Sequence, residues 1–318
     1  MDGAVGIIGT YVAAAVGTVA LGLTGRWVDR KVTAMVQWRK GPPWYQPLAD
    51  VLKLFYKETL LPSTARRTGF LIAPALALAA AVLAAAMLWS ALAQPKVSFV
   101  GDLLVVLYLL MIPSIATMMG AAASGSPQAA VGASREMKLI LSYELPFVLT
   151  LLVAVVHAGW TLRLNELAAQ PPALYSFSGV LAMSLALLAA QAKLGQVPFD
   201  LAEAECEIMA GVYTEYSGPP LGLVYLARAT LLAVMPLLLI AVFWGGLERD
   251  AWGVPFLGLA AFVGKYVLIL VLFTLIRNTN PRLRIDQTVR LFWWVLTPLA
   301  AGAVVLALAG RKWGVSWL

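Results

Sequence analysis

Apolar runs of about 20 residues recur about eight times along this chain, and a chain built that way has few folds open to it. Within hydrocarbon every backbone N–H and C=O must find its partner inside the protein, which leaves helices and closed barrels. Long runs without alternating polarity select helices. The runs lie near 4–25, 69–93, 100–120, 138–158, 177–195, 220–244, 253–276 and 290–309. Composition agrees. Of 318 residues 61% are hydrophobic and 12% charged, with a mean hydropathy of +0.83, too little charge for a soluble domain. The expectation is a single all-α integral membrane domain over 1–318, multi-pass in the cell membrane.

The charges between the runs set the topology. Sixteen of the 23 lysines and arginines fall in the odd-numbered connections and five on the other side, in the even-numbered connections and after the last run. Basic residues accumulate on the cytoplasmic side. Connections 26–68, 121–137, 196–219 and 277–289 are therefore expected to form a cytoplasmic docking face, with both termini outside. Ala4–Leu23 is followed by Arg26, Arg30 and Lys31 rather than by a small-residue cleavage site, and so reads as an anchor. The net charge of +7 is spread between spans, which argues for topology and against nucleic-acid binding. With Cys206 as the single cysteine, the chain holds no internal disulfide and no thiolate-ligated cluster. His157, the single histidine, excludes a bis-histidine haem within the chain and reads as a headgroup-level residue beside Trp160.

One stretch breaks the apolar rule. Gln196–Pro220 carries Asp200, Glu203, Glu205, Glu207 and Glu215, five of the 16 acids. If Asp200–Ala210 is helical, Asp200, Glu203 and Glu207 share one face and Glu205 points away. Crowded carboxylates raise one another's pKa and titrate as a group, as a proton relay requires. Glu144 lies six or seven residues inside the fourth run, with Pro146 just after it. A carboxylate at that depth is costly, and the proline frees a carbonyl, so a polar pocket is expected there. The alternative is a structural pairing of Glu144 with Lys138 or an arginine. Arg228 and Lys265 also lie inside spans. Arg228 is placed to snorkel; Lys265, nearer the middle, reads as a carboxylate's partner or a carrier of charge.

The first connection holds an amphipathic segment, Pro47–Leu61. Leu48, Val51, Leu52 and Phe55 follow helical spacing, with Asp50, Lys53 and Lys57 on the other side. Pro47 suits a first turn and Pro62 a stop. At about 15 residues it is too short to span, so it is expected to lie along the interface or under a partner. With the preceding basic turn it makes a candidate docking patch of Arg39, Lys40, Gly41, Pro42, Gln46, Asp50 and Lys53.

Three segments taken together carry a resemblance: PFDLAEAECE…TEYSG (Pro198–Gly218), SREMKLILSYE (Ser134–Glu144) and RKGPPWYQPLADVLKLFYKE (Arg39–Glu58). They are similar to the signature segments of the H-type membrane subunit of respiratory complex I and of its counterpart in the energy-converting membrane-bound nickel–iron hydrogenases. The resemblance runs over essentially the whole chain. It implies a membrane anchor that joins a peripheral redox arm to ion-conducting membrane subunits. The implied ion path is Glu136, Glu144, Asp200, Glu203, Glu205, Glu207 and Glu215, with Arg228 or Lys265. No cofactor is implied in this chain; a nickel–iron site and iron–sulfur clusters would sit in partners. Those partners are large and small hydrogenase or dehydrogenase subunits, an iron–sulfur subunit and antiporter-like membrane subunits. The quinone-using branch carries an insertion before QPLAD. Here Gly41–Tyr45 runs straight into Gln46–Asp50, a shortened form that resembles the hydrogenases and the related sulfur-reducing complexes and counts against a quinone. Three alternatives stay open: a quinone-site subunit, a stand-alone secondary transporter, and a passive scaffold. The absence of an internal repeat weighs against the transporter.

Overall fold

The computed structural model describes residues 2–93, 100–209, 211–247 and 255–314. A helix occupies each of the eight apolar runs, and among the described residues there is no strand. In chain order these are α1 (Asp2–Val36), α2 (Gln46–Phe55), α3 (Arg67–Ala93), α4 (Asp102–Ser124), α5 (Pro127–His157), α6 (Leu164–Ala169), α7 (Phe177–Lys193), α8 (Glu205–Ile208), α9 (Gly218–Phe243), α10 (Pro255–Thr279), α11 (Ile285–Arg290) and α12 (Thr297–Trp313). The last two are joined through a π-helical turn, Leu291–Leu296, into one continuous helix. Pro298 cannot donate to the preceding turn, and the wider turn takes up that mismatch while the Thr297 hydroxyl donates to the Phe292 carbonyl at 2.7 Å. Helices α3, α4, α5, α9, α10 and the α11–α12 unit are long and apolar enough to cross a membrane. Helix α7 has only 17 residues.

Several connections are shorter than expected. Segment 121–137 is not a loop: α4 ends at Gly125, which adopts the left-handed φ of 71° that closes a helix. Extended Ser126 then leads into α5 with Pro127 at its first turn. Helix α1 likewise runs on through Arg26, Arg30 and Lys31. Its 35 residues span about 52 Å, beyond the about 30 Å of hydrocarbon. Helix α2 ends at Phe55 rather than Leu61, and Pro62 lies outside it. Helix α10 extends to Thr279, so the last connection covers only 280–284.

Two polar ties fix α1. Asp29, almost fully buried, takes Nη1 of Arg277 at 2.6 Å and the Thr274 hydroxyl at 3.1 Å, locking α1 to α10. Arg30 donates to Asp50 at 2.7 Å and to the Tyr225 hydroxyl at 2.8 Å, locking α1 to α2 and α9. Farther along, Gly22 lets α1 approach α9 so closely that a Cβ would run into the Ala229 carbonyl.

The acidic stretch does not form the expected helix, and this is the main correction. Residues 194–209 and 211–217 are irregular apart from the single turn α8 and a 3-10 turn, Gly211–Tyr213. The backbone finds partners elsewhere: Leu283 N–H donates to the Pro198 carbonyl at 3.1 Å, and Nε of Arg282 to the Asp200 carbonyl at 3.0 Å. Phe199, Leu201, Ala202, Ile208, Val212 and Tyr216 are buried among the helices. Phe199 packs on Phe292, and Tyr216 stacks on Phe70 with 4.1 Å between centroids. Irregular backbone at membrane depth is tolerated where protein covers it, and the shortness of α7 makes room. Gly132 on α5 is one close seat, since a Cβ there would lie 2.9 Å from Val212 N and 3.0 Å from Ala202 O. Gly132→Val is expected to destabilise the protein by about 1–3 kcal/mol through overpacking. The check is the midpoint of thermal unfolding in detergent together with proteolysis of 194–217; no change in either removes this segment from the packed core.

Candidate functional site

Folding the acidic stretch inward leaves a cavity that is open at its mouth. Helices α3, α4, α5, α7 and α9 each contribute a wall, and the irregular segment closes the side that carries Asp200 and Glu203. Glu136 from α5, Lys193 from α7, Asp200 and Glu203 from the irregular segment, and Arg228 from α9 all line it. Apolar Pro74, Ala77 and Leu231 supply much of the rest.

Most charges in the wall meet another. Arg228 forms an ion pair with Glu203, its Nη1 2.9 Å from Oε2, and lies 4.8 Å over the Tyr213 ring. Asp200 pairs with Arg282 at 2.8 Å. Ser114 stands beside both Glu136 and Tyr143. Deeper along α5, Glu144 accepts from Nζ of Lys193 at 2.8 Å, and the lysine side chain is only 1% exposed. Glu136 and Glu144 are eight residues apart on one helix, about 12 Å along its axis. Tyr213 and Tyr216, in the irregular segment, carry phenols whose ordinary pKa is about 10. Both therefore remain neutral donors at physiological pH. The Tyr216 hydroxyl donates to the Phe70 carbonyl at 3.0 Å.

Of the nine residues read as an ion path, Glu136, Asp200, Glu203 and Arg228 meet at the cavity. Glu144 joins through Lys193, so its partner is neither Lys138 nor an arginine. Glu207 lies outside the wall, half-exposed and paired with Arg135. Glu215, in the turn before α9, is also outside the wall. The Glu205 and Cys206 side chains fall outside the described residues. Lys265 is not brought to the cluster: its Nζ donates at 3.1 Å to the Trp244 carbonyl, past the far end of α9 and about 24 Å along that helix from Arg228. Nor does Arg228 snorkel, since Glu203 and Tyr213 hold it at the cavity.

On the docking patch, Arg39, Lys40 and Lys53 are exposed while Gly41 and Pro42 are half-buried. The Pro42 carbonyl accepts from the Trp27 indole at 3.1 Å, and Gly41 packs against Lys31. Gln46 donates to Asp50 at 2.9 Å, so those two serve the α1–α2 joint. Exposed Trp38, Trp44 and Tyr56 extend the patch.

Lys193, Arg282 and Tyr213 were missed as site residues. Lys193 and Arg282 count as loop charge in a reading by runs, and nothing in the spacing pairs them with acids on other elements. Among the described residues no group of three His, Cys, Asp or Glu side chains converges as a metal site.

Comparison with known proteins places this architecture. A sequence model of the family described as NADH dehydrogenase matches residues 8–308. The H-type subunit of the NADH-quinone oxidoreductase of Thermomicrobium roseum is 36% identical, covering 94% of this chain and 95% of that protein. Its counterpart in Geobacter metallireducens is 37% identical over 86% of this chain and 87% of its own length. Among solved structures, a chain of an archaeal respiratory complex, the membrane-bound sulfane sulfur reductase, superposes with a TM-score of 0.83 at 27% identity. That match covers 95% of this chain and 99% of the other. With its all-helical membrane fold and inward-folded acidic segment, the chain belongs to the family of H-type membrane subunits of NADH-quinone oxidoreductase.

Proposed function

We propose that this protein is the membrane anchor and ion-coupling subunit of an energy-converting redox complex. The observation that carries the reading is the cavity in which Glu136, Asp200, Glu203 and Arg228 meet beside the Lys193–Glu144 pair. These groups lie on the side of the molecule that bears the basic patch of α1 and α2. That side faces the cytoplasm under the basic-residue rule, and both termini lie outside. The peripheral arm docks on Arg39, Lys40 and Lys53, with Trp38 and Trp44 beside them. Reduction in that arm changes the charge facing the acidic segment. In a poorly hydrated setting a unit charge a few ångströms away shifts a carboxylate by several kcal/mol. Glu203 and its neighbours then change protonation, and Glu144 hands the ion to a neighbouring antiporter-like membrane subunit. Glu207 and Glu215, outside the cavity wall, are assigned to proton entry, while Lys265 belongs to the far side.

The redox cofactors, a nickel–iron site with iron–sulfur clusters, are assigned to the partners, as are the large, small and iron–sulfur subunits of a hydrogenase-type arm. The short run of Gly41–Tyr45 straight into Gln46–Asp50, which leads into the contact of α1, α2 and α9, supports a branch without quinone. Arg30 spans that contact to Asp50 and Tyr225, Arg26 lies 5.1 Å over the Tyr225 ring, and Gly222 packs on Phe55. A quinone retained by the purified complex would reverse this part of the reading.

Glu203→Gln tests the function. Dye-linked electron transfer in the assembled complex is expected to persist, while ion translocation in liposomes falls about tenfold or more as a proton-exchanging group is lost. Full translocation in this variant removes Glu203 from the path.

A further inference from the structure

The Lys193–Glu144 pair stands at a boundary that none of the other charged groups shares. On one side Lys193 lines the cavity with Glu136, Asp200 and Glu203. On the other, Glu144 belongs to the flank of α5 that carries the exposed side chains Met137, Leu141, Leu145 and Val148. These follow helical spacing, and Glu144 falls within the same stripe. Its carboxylate is 20% exposed, against 1% for the lysine. A proton leaving the cavity for a neighbour on that flank must pass the ammonium.

The surroundings of the ammonium are unusual for a mere strut. Its Nζ lies 5.1 Å from the Phe147 ring centroid and 5.4 Å from that of Tyr143. Ring faces support a cation without fixing its direction. A four-carbon stem with a point charge at its tip can change partner, where a planar guanidinium fork would stay with a carboxylate. The lysine is the last residue of α7, one turn before the chain enters the acidic segment. Its position therefore follows any shift of that segment.

We propose that Lys193 is a positioning residue that decides when Glu144 takes a proton, an inference that rests on the function proposed above. At rest the ammonium holds Glu144 ionised. When negative charge builds on Glu136, Asp200 and Glu203, the ammonium turns toward them across the aromatic rings. Glu144 then accepts a proton from cavity water onto Oε2, the hydroxide left behind being neutralised from the aqueous mouth. The proton leaves across the α5 flank to an acceptor on the neighbouring subunit, and Lys193 returns.

The experiment uses the intact complex in liposomes, with dye-linked turnover and internal pH read together, for wild type, Lys193→Arg and Glu144→Gln. Lys193→Arg is expected to assemble and turn over normally but to lose about tenfold or more of proton translocation, because the fork does not release Glu144. A structural ion pair would tolerate arginine, so wild-type translocation in this variant overturns the proposal. Infrared difference spectra of the wild-type complex supply a readout that does not depend on the variant folding. On reduction a carboxylic-acid C=O band is expected that is absent in Glu144→Gln; no such band overturns the proposal as well. If Glu144→Gln itself translocates normally, the underlying function fails with it. If Glu144→Gln is inactive while Lys193→Arg is normal, only the switching role fails.

Discussion

Glu144→Gln will stop ion translocation while the soluble arm goes on transferring electrons to a dye. Glutamine matches glutamate in size and leaves a carbonyl oxygen where Oε2 accepts from Lys193 at 2.8 Å. The rings of Tyr143 and Phe147 continue to support the ammonium. The complex should therefore assemble. What the amide lacks is a site for an exchangeable proton, and losing a positioned proton carrier costs about 100-fold or more in rate. The measurement is proton or sodium uptake by proteoliposomes during turnover, normalised to electron flux. Coupling at the wild-type ratio would show that Glu144 is a strut and leave the chain a docking platform.

Arg277→Met is expected to have the largest effect on stability. Asp29 is 4% exposed and takes Arg277 at 2.6 Å. The same guanidinium holds the Thr33 hydroxyl at 2.7 Å, and Asn278 reaches that hydroxyl at 3.1 Å. Removing the arginine leaves a buried carboxylate without its counter-charge, which costs about 3–5 kcal/mol. Replacing both partners with apolar residues of similar volume, as in Asp29→Leu with Arg277→Met, should recover most of that loss. Thermal unfolding of the detergent-purified protein distinguishes the two variants. An Arg277→Met protein as stable as wild type would mean that the pair contributes nothing to holding α1 on α10.

The helices were legible because apolar runs of spanning length have one stable solution. Their ends were not. Arg26, Arg30 and Lys31 read as the start of a loop, yet α1 continues through them because Asp50 and Tyr225 meet Arg30 from other elements. The small polar residues of 121–137 read as a connection, yet Pro127 opens a helix there and Gly132 seats the acidic segment. That segment shows the limit most clearly. Its acids stand out by type and density, but the helical wheel assigned Glu207 to the cluster and gave no place to Lys193. The peptide groups around Asp200 bond to Arg282, 82 residues later, and such a partner overrides local periodicity. Convergence in space came from turns and long-range contacts, which spacing along one helix does not encode.

The brevity of α7 has an electrical consequence. Seventeen residues cover about 25 Å, less than the about 30 Å of a bilayer core, and the cavity lined by Lys193, Asp200 and Glu203 opens at the missing end. Water entering that cavity during turnover would carry the potential of the adjoining compartment inward, so that the voltage would drop over a thinner insulating layer. A charge crossing only the remaining distance then exchanges nearly the full ~2.3 kcal/mol per 100 mV. Turnover that slows steeply as the opposing voltage rises is the behaviour such a focused field produces.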